Sequence, residues 1–234
     1  MGKVIMSGIV PKLVAPSVGI ALADIAEGSL VKLNENGNPV EFYVACHDYE
    51  SAQNGTGRTL LVRKDVKENV LFSEATYGVF YGSLGCELNS WMEAYAGCLD
   101  ESAQTIIATT KIAVTTSVHN TQFGGHVVTN VAHAVFALSL TELGLTATYA
   151  AEEGTELPTA SLLRTAKMNG AAASQWTRSI YNNRSTYGAY YVDTSGTVQG
   201  GMRNQASAYG ARPCFTLPAT ALFNEETLLF KGVS

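Results

Sequence analysis

Residues 174–218 read SQWTRSIYNNRSTYGAYYVDTSGTVQGGMRNQASAYGARPCFTLP, and the rest of the chain is interpreted around this stretch. The segment WTRS at 176–179 opens it, YGARP at 209–213 ends it, and Tyr, Asn, Ser, Gly and Arg dominate between. Tyr offers a large contact area at low entropic cost, while Ser, Asn and Gly supply adaptable hydrogen bonds, as in binding loops. The composition predicts a recognition surface, and the alternative is a polar surface loop without a partner.

The composition of the whole chain is that of a globular protein that can bury a sizeable core. Its 234 residues are 46% hydrophobic and carry a net charge of −5, without a run of Lys or Arg. This charge argues against nucleic acid as a partner. The first 26 residues are largely apolar, but Pro11, Lys12, Pro16 and Gly19 interrupt them. We therefore expect no secretion signal and no membrane insertion.

The apolar pattern predicts an α+β domain with mixed antiparallel sheets, two helices and a loop-rich C-terminal half. Residues 29–45 alternate around an Asn36-Gly37 turn signal and predict a hairpin. Helical spacing between Cys86 and Thr110 predicts two helices, with Trp91 in the core. A Gly-Gly turn at 124–125 is expected between two of the remaining strands. Those strands are expected at 58–63, 112–116, 133–138 and 212–217, with a second hairpin at 189–199.

One domain with two appended termini accounts for the chain, because no repeat or linker is visible. The boundaries predicted are an arm at 1–27, the domain at 28–218 and a tail at 219–234. Apolar termini need cover, so we expect the arm to dock on a neighbouring subunit or a larger assembly. An arm lying along its own domain is the alternative. The apolar tail is expected to pack on the domain or on a partner.

Catalytic and metal-binding motifs are missing from the sequence. The four histidines have no HxxxH or HxH spacing, and the four cysteines form no CxxC pair, so no metal and no cofactor are expected. The chain has no GxSxG nucleophile motif and no phosphate-binding glycine loop. Arg178 and Arg212 lie beside the apolar Trp176 and Pro213, where a guanidinium must be paired. We interpret Trp176, Arg178 and Arg212 as structural anchors.

Several short motifs, taken in order, resemble a known family. They are MGKVIMSGIV at 1–10, LLVRKD at 60–65, LNSWM at 88–92, FALSL at 136–140, WTRS at 176–179 and GARP at 210–213. This order resembles domain-of-unknown-function proteins with a C-type-lectin-like fold from prophages and phages of gut Firmicutes. The family usually has W-W-L-R-S where this chain has Gln175 and Thr177 beside Trp176. The match is therefore to a divergent member.

The same fold occurs in formylglycine-generating enzymes and in phage proteins diversified by retroelements. The enzymes need a pair of cysteines, and Cys214 has no partner nearby in the sequence. The calcium motifs of lectins, E-P-N and W-N-D, do not occur either. The resemblance therefore implies a binding protein rather than an enzyme or a calcium-dependent lectin.

The resemblance places the binding surface in the C-terminal stretch, whose residues match the set produced by adenine-directed mutation. It implies a virion protein, made in the bacterial cytoplasm, that displays this surface to a host cell-surface protein or glycan. Other virion proteins and copies of the chain itself are further expected partners. A purely structural virion protein and, third, a formylglycine-generating-like enzyme are the alternatives. The expected ligand-binding residues are Tyr181, Asn182, Asn183, Arg184, Ser185, Tyr187, Tyr190, Asp193, Arg203 and Asn204.

Overall fold

Strands form most of the regular structure in the computed structural model, which describes residues 19–74, 79–119, 125–182, 187–202 and 209–233. The first eight strands are β1 (Gly19–Ala21), β2 (Leu30–Glu35), β3 (Asn38–His47), β4 (Arg58–Arg63), β5 (Glu68–Asn69), β6 (Thr110–His119), β7 (Gly125–His133) and β8 (Ala166–Met168). The others are β9 (Ala171–Ala173), β10 (Gln175–Asn182), β11 (Tyr187–Val192), β12 (Val198–Met202), β13 (Gly210–Ala211), β14 (Cys214–Pro218), β15 (Ala221–Asn224) and β16 (Phe230–Val233).

A four-stranded antiparallel sheet in the order β14-β4-β3-β2 forms the centre of the fold. The predicted hairpin at 29–45 is confirmed, because β2 pairs with β3 around Asn36 and Gly37. Their φ angles of 51° and 78° belong to the left-handed region that an Asn-Gly turn favours. The strand predicted at 58–63 is β4, and the strand predicted at 212–217 is β14, shifted by two residues at its start.

A second sheet has the order β12-β11-β10-β13-β5. The predicted hairpin at 189–199 is confirmed within it, as β11 and β12. The preceding strand, β10, extends the hairpin to a three-stranded meander, and β13 joins β10 in parallel. The prediction of a loop-rich C-terminal half holds for residues 134–159, which form no helix or strand, but strands occupy most of the described residues from 166 onward.

Helices are short and few in the described residues, so the fold is mostly antiparallel sheet with a minor helical part. The described α-helices are α1 (Ser51–Asn54), α2 (Glu87–Tyr95), α3 (Glu101–Gln104) and α4 (Ala160–Leu163). The two predicted helices are confirmed as α2 and α3. Trp91 lies at the margin of the core rather than inside it. Its ring stacks on Tyr95 at 5.7 Å, and its Nε1 donates to Glu68 Oε1 at 2.6 Å.

The strand predicted at 133–138 is displaced in the structure. The strand in this region, β7, begins at Gly125 and ends at His133, and it pairs with β6 over its length. The strand predicted at 112–116 is confirmed as the middle of β6. Gly124, of the predicted Gly-Gly turn, lies outside the described residues.

The apolar residues 135–138 are buried, but they form no strand. Phe136 makes a single isolated bridge to Cys214. The backbone of Ala137 bonds to side chains instead, since its N donates to Tyr81 Oη and its O accepts from Arg178 Nη1. Residues 135–138 therefore have the apolar pattern of a strand because they are buried, although no neighbouring strand pairs with them continuously.

The ends of the described chain meet in a third sheet, with the order β1-β15-β16. Leu22 and Ile25, which follow β1, are 0% and 5% exposed, and Phe223 in β15 is 0% exposed. Residues 19–27 and the tail hence belong to the folded body. Residues 1–18 of the predicted arm lie outside the described residues.

A single apolar core joins these sheets. Phe42 of the central sheet contacts Phe215 edge-on at 5.5 Å, and Tyr49 stacks on Phe136 at 5.8 Å. No helix in the part of the chain that the structure describes has the length and apolar character of a membrane span.

Candidate functional site

Arg178 fixes the centre of β10 inside the protein. Its guanidinium is fully buried and binds Glu142 through two hydrogen bonds, Nη1 to Oε2 at 2.6 Å and Nη2 to Oε1 at 2.7 Å. Its Nε donates to Ala113 O at 2.9 Å. Burial by itself lowers the pKa of Arg178, but the charge of Glu142 outweighs this effect and raises the pKa above its ordinary value. The side chain is therefore a permanent cation held by a single carboxylate and by carbonyl groups.

A buried polar network surrounds this ion pair. Tyr49 Oη donates to Glu142, and Ser179 Oγ donates to Glu153. Glu153 also accepts from the backbone N of Thr115 at 2.6 Å. Both carboxylates and Ser179 are at most 1% exposed, so a substrate cannot reach them. The network is a structural support beneath β10.

Arg212 holds the other end of the stretch. Its Nε donates to Arg63 O at 2.7 Å, its Nη2 to Lys64 O at 2.7 Å and its Nη1 to Leu163 O at 2.6 Å. Burial lowers the pKa of Arg212 to about 10, which leaves the group charged at neutral pH. One side chain therefore links the end of β4 to the end of α4.

Trp176 lies beneath an aromatic cluster at the side of the second sheet. It is 2% exposed, and its Nε1 donates to Val70 O at 2.9 Å. Its ring contacts Tyr209 edge-on at 4.7 Å and Phe72 edge-on at 5.6 Å. Tyr191 stacks on Tyr209 with ring centroids 3.6 Å apart, and both tyrosines are partly exposed.

The strand register brings the predicted binding stretch to one end of the meander. β10 and β11 pair Tyr181 with Gly188 and Asn182 with Tyr187, and β11 and β12 pair Gly188 with Met202. The strand ends from which residues 183–186 and 203–208 continue therefore lie side by side. We name Tyr181, Asn182, Tyr187, Gly188 and Met202 the meander edge. Asn183, Arg184, Ser185, Arg203 and Asn204 lie outside the described residues.

Two predicted ligand-binding residues lie away from this edge. Tyr190 is 6% exposed, so its ring is part of the core and not of an open surface, which corrects the prediction. Asp193 is in the turn at the other end of the meander, where it accepts from the backbone N of Ser195 and Thr197 at 2.9 and 3.0 Å. Hydrogen bonds from Ser195 and Thr197 lower the pKa of Asp193 to about 2. Its carboxylate shapes the turn.

The side chains that could act as nucleophiles or metal ligands are either buried or not grouped together. The four cysteines are free thiols, and Cys214 is fully buried, which raises the pKa of its thiol well above the ordinary value. His133 Nδ1 pairs with Glu93 Oε1 at 2.8 Å. Among the described residues, no three His, Cys, Asp or Glu side chains are grouped as metal ligands are.

The stacking of Tyr191 on Tyr209 was not predicted from the sequence. Neighbouring residues of a strand point to opposite faces of the sheet, so buried Tyr190 and partly exposed Tyr191 must face opposite sides. This alternation along β11 could have indicated that Tyr191 lies on the outer face. Tyr209 could not be assigned to the same face because it is 18 residues further along the chain. Only the parallel pairing of Gln175 with Gly210 brings the two rings together.

Comparison with known protein families gives a match over most of the chain. The sequence profile of a domain of unknown function, DUF6273, matches residues 56–219, which include β4 and β14 of the central sheet and the whole meander but not β2 and β3. No curated protein and no solved structure matches the chain. Since the profile covers more than half of the sequence, the chain belongs to the DUF6273 family of domains of unknown function.

Proposed function

We propose that the protein binds a ligand on the host surface through the meander edge and acts as a virion component of a phage or prophage. The observation that carries this proposal is the register of β10, β11 and β12. In this register, the strand ends flanking residues 183–186 and 203–208, which include five of the expected ligand-binding residues, lie at one end of a single sheet. Tyr residues and adaptable polar groups at adjoining strand ends suit a binding surface.

The anchors beneath the meander support a binding role because they hold it in one conformation. Arg178 and Arg212 each make several hydrogen bonds to backbone carbonyls, and Trp176 is enclosed by other aromatic rings. A surface on such a support loses little conformational entropy when a ligand binds. Rigid anchoring of variable-looking strand ends is also what a diversified binding protein requires.

The same proposal also covers the fold family of the protein, its location and the origin of the Tyr- and Asn-rich stretch. A C-type-lectin-like arrangement, virion localisation and diversification of the stretch by a retroelement follow from the resemblance of the short motifs. Copies of the chain on a particle then supply avidity for a weak single site. Host cell-surface protein or glycan is the ligand class, and the anchors act as support rather than contacts.

Binding of host cells by the purified full-length protein tests the proposal. We expect the double variant Tyr181→Ala/Tyr187→Ala to lose most of the binding, because aromatic residues dominate the energy of such interfaces. Tyr149→Ala is the matched control, since Tyr149 is 47% exposed and lies outside the second sheet. Binding that is unaffected by the double variant, or absent from the parent protein, would favour a purely structural virion protein.

A further inference from the structure

A polar groove lies on a different part of the molecule from the meander edge. It consists of two cavities of about 560 and 430 Å³ that share Lys64 and Asp65 in their linings. The first is bounded by Asn169 and Gly170, in the turn between β8 and β9, and the second reaches Thr194 in the turn between β11 and β12. Each cavity has the size of a small-molecule site.

The groove is positively charged in a chain whose net charge is −5. Glu41 and Asp65 are the carboxylates in its lining, and Glu35 lies buried beside it. A concave region with an excess of positive charge attracts anions. The cations of its lining are Lys32, Arg63, Lys64, Lys67 and Lys167.

Two of these cations stabilise the fold. Arg63 Nε donates to Glu35 Oε2 at 2.9 Å, and Lys67 also binds Glu35. Burial by itself raises the pKa of Glu35, but the hydrogen bonds from Arg63, Lys67 and Tyr95 outweigh it and lower the pKa. Glu35 is therefore ionised and keeps both cations in place.

The other three cations are available to a ligand. The ammonium groups of Lys32 and Lys167 have no polar partner among the described residues. Lys64 pairs with Glu41 at 2.6 Å, but the two side chains are 37% and 38% exposed. Such an exposed ion pair is weak in water, so an anion can replace Glu41 as the partner of Lys64.

The three available lysines follow the length of the groove. Lys32 on β2 is paired with Glu41 on β3, and the backbone N of Lys64 donates to Glu41 O at 2.9 Å. The positions of Lys32 and Lys64 are thus two strand spacings apart, or roughly 10 Å. Lys167 follows on the other side, where its carbonyl accepts from Val66 N at 2.8 Å. An extended ligand with repeated anionic groups matches this spacing better than a single small anion.

Neutral and acidic groups between the lysines indicate the ligand class. Asn169, Thr165 and Thr194 offer amide and hydroxyl groups, and Glu41 and Asp65 can accept hydrogen bonds from hydroxyls. The same carboxylates repel a continuous phosphate backbone. We propose that this groove binds an acidic oligosaccharide, with Lys32, Lys64 and Lys167 contacting its carboxylate or phosphate groups. The site is independent of the function proposed for the meander edge.

Calorimetric titration of the full-length protein at low salt tests this site. The probes are an oligogalacturonate, which carries carboxylates, a phosphorylated malto-oligosaccharide, which carries phosphate groups on separate sugar rings, and a neutral malto-oligosaccharide. We expect binding of at least one charged oligomer and none of the neutral one. Each of Lys32→Gln, Lys64→Gln and Lys167→Gln weakens the affinity up to about fivefold, and the triple variant by at least about tenfold.

Lys111→Gln is the matched control, because Lys111 is an exposed lysine on β6 outside the groove. Which oligomer binds identifies the anionic group. The proposal is overturned if neither charged oligomer binds, or if the triple variant binds as the control does. Equal affinity for the neutral oligosaccharide, or for a single-stranded RNA of the same charge, would also overturn it.

Discussion

At the scale of single residues, the buried pair of Arg178 and Glu142 has the largest consequences. Both side chains are 0% exposed, and the pair connects β10 to the turn that follows residues 135–138. Removing one member of a buried ion pair leaves the other charged and without compensation. Arg178 is therefore essential for the stability of β10, the first strand of the meander.

We predict that Arg178→Met lowers the free energy of unfolding by about 3–5 kcal/mol, because the charge of Glu142 loses its partner. Urea denaturation of the purified protein measures this change. The double variant Arg178→Met/Glu142→Gln recovers part of the loss, since the new amide is neutral and can still accept from Tyr49. Lys111→Met, at an exposed position, shifts stability by less than about 0.5 kcal/mol. A double variant as unstable as the sum of its singles would contradict the pairing.

At the scale of elements, the contact between β13 and the segment before β5 lies where the chain passes between the central sheet and the second sheet. Gly210 of β13 pairs with Gln175 of β10 and with Asn69 of β5. Val66, just before β5, packs directly over Gly210, and the space for a side chain there is closed. Close approach of two chain segments is therefore the reason for a glycine at this position.

We expect Gly210→Ala to reduce stability by about 1–3 kcal/mol through overpacking. The added Cβ would lie 2.0 Å from Val66 Cγ1 and 3.1 Å from Val66 Cβ, so more than the tip of the side chain must move. Combining it with Val66→Ala removes the 2.0 Å contact with Cγ1 and so relieves most of the clash. A double-mutant cycle by thermal denaturation checks the coupling, and strictly additive losses would show that the two residues do not meet.

At the scale of the whole molecule, both ends of the described chain pack together. β1 pairs with β15, and Leu22 and Ile25 enter the core beside this sheet. The predicted arm thus divides into two parts at Gly19. Residues 19–27 contribute to folding, and residues 1–18 remain the segment for which assembly is predicted.

Light scattering of two truncated proteins separates these roles. Removing residues 1–18 is expected to convert an assembled protein to monomers without loss of stability. Removing residues 1–27 also lowers stability, because burying Leu22 and Ile25 contributes about 1.5–3 kcal/mol each. If the full chain is itself monomeric, the assembly role of the arm is wrong.

Local patterns in the sequence were sufficient for elements whose signals are short-range. The Asn36-Gly37 turn, the helix at Glu87–Tyr95 and the hairpin of β11 and β12 depend on neighbouring residues only. The strand placed at 133–138 was wrong because hydrophobicity reports burial and not the partner of the backbone. Arg178 and Tyr81 supply partners there that no local pattern reveals.

Sequence patterns alone were enough to predict a mixed antiparallel α+β domain and a Tyr-, Asn- and Gly-rich stretch between anchors that must be paired. These follow from local alternation, turn chemistry and the cost of burying a guanidinium. Three-dimensional packing was needed to show that Tyr190 is buried, that Tyr191 stacks on Tyr209 and that Lys32, Lys64 and Lys167 share a groove. Those relations join residues far apart in the chain, and strand register and sheet order fix them, which no single segment encodes.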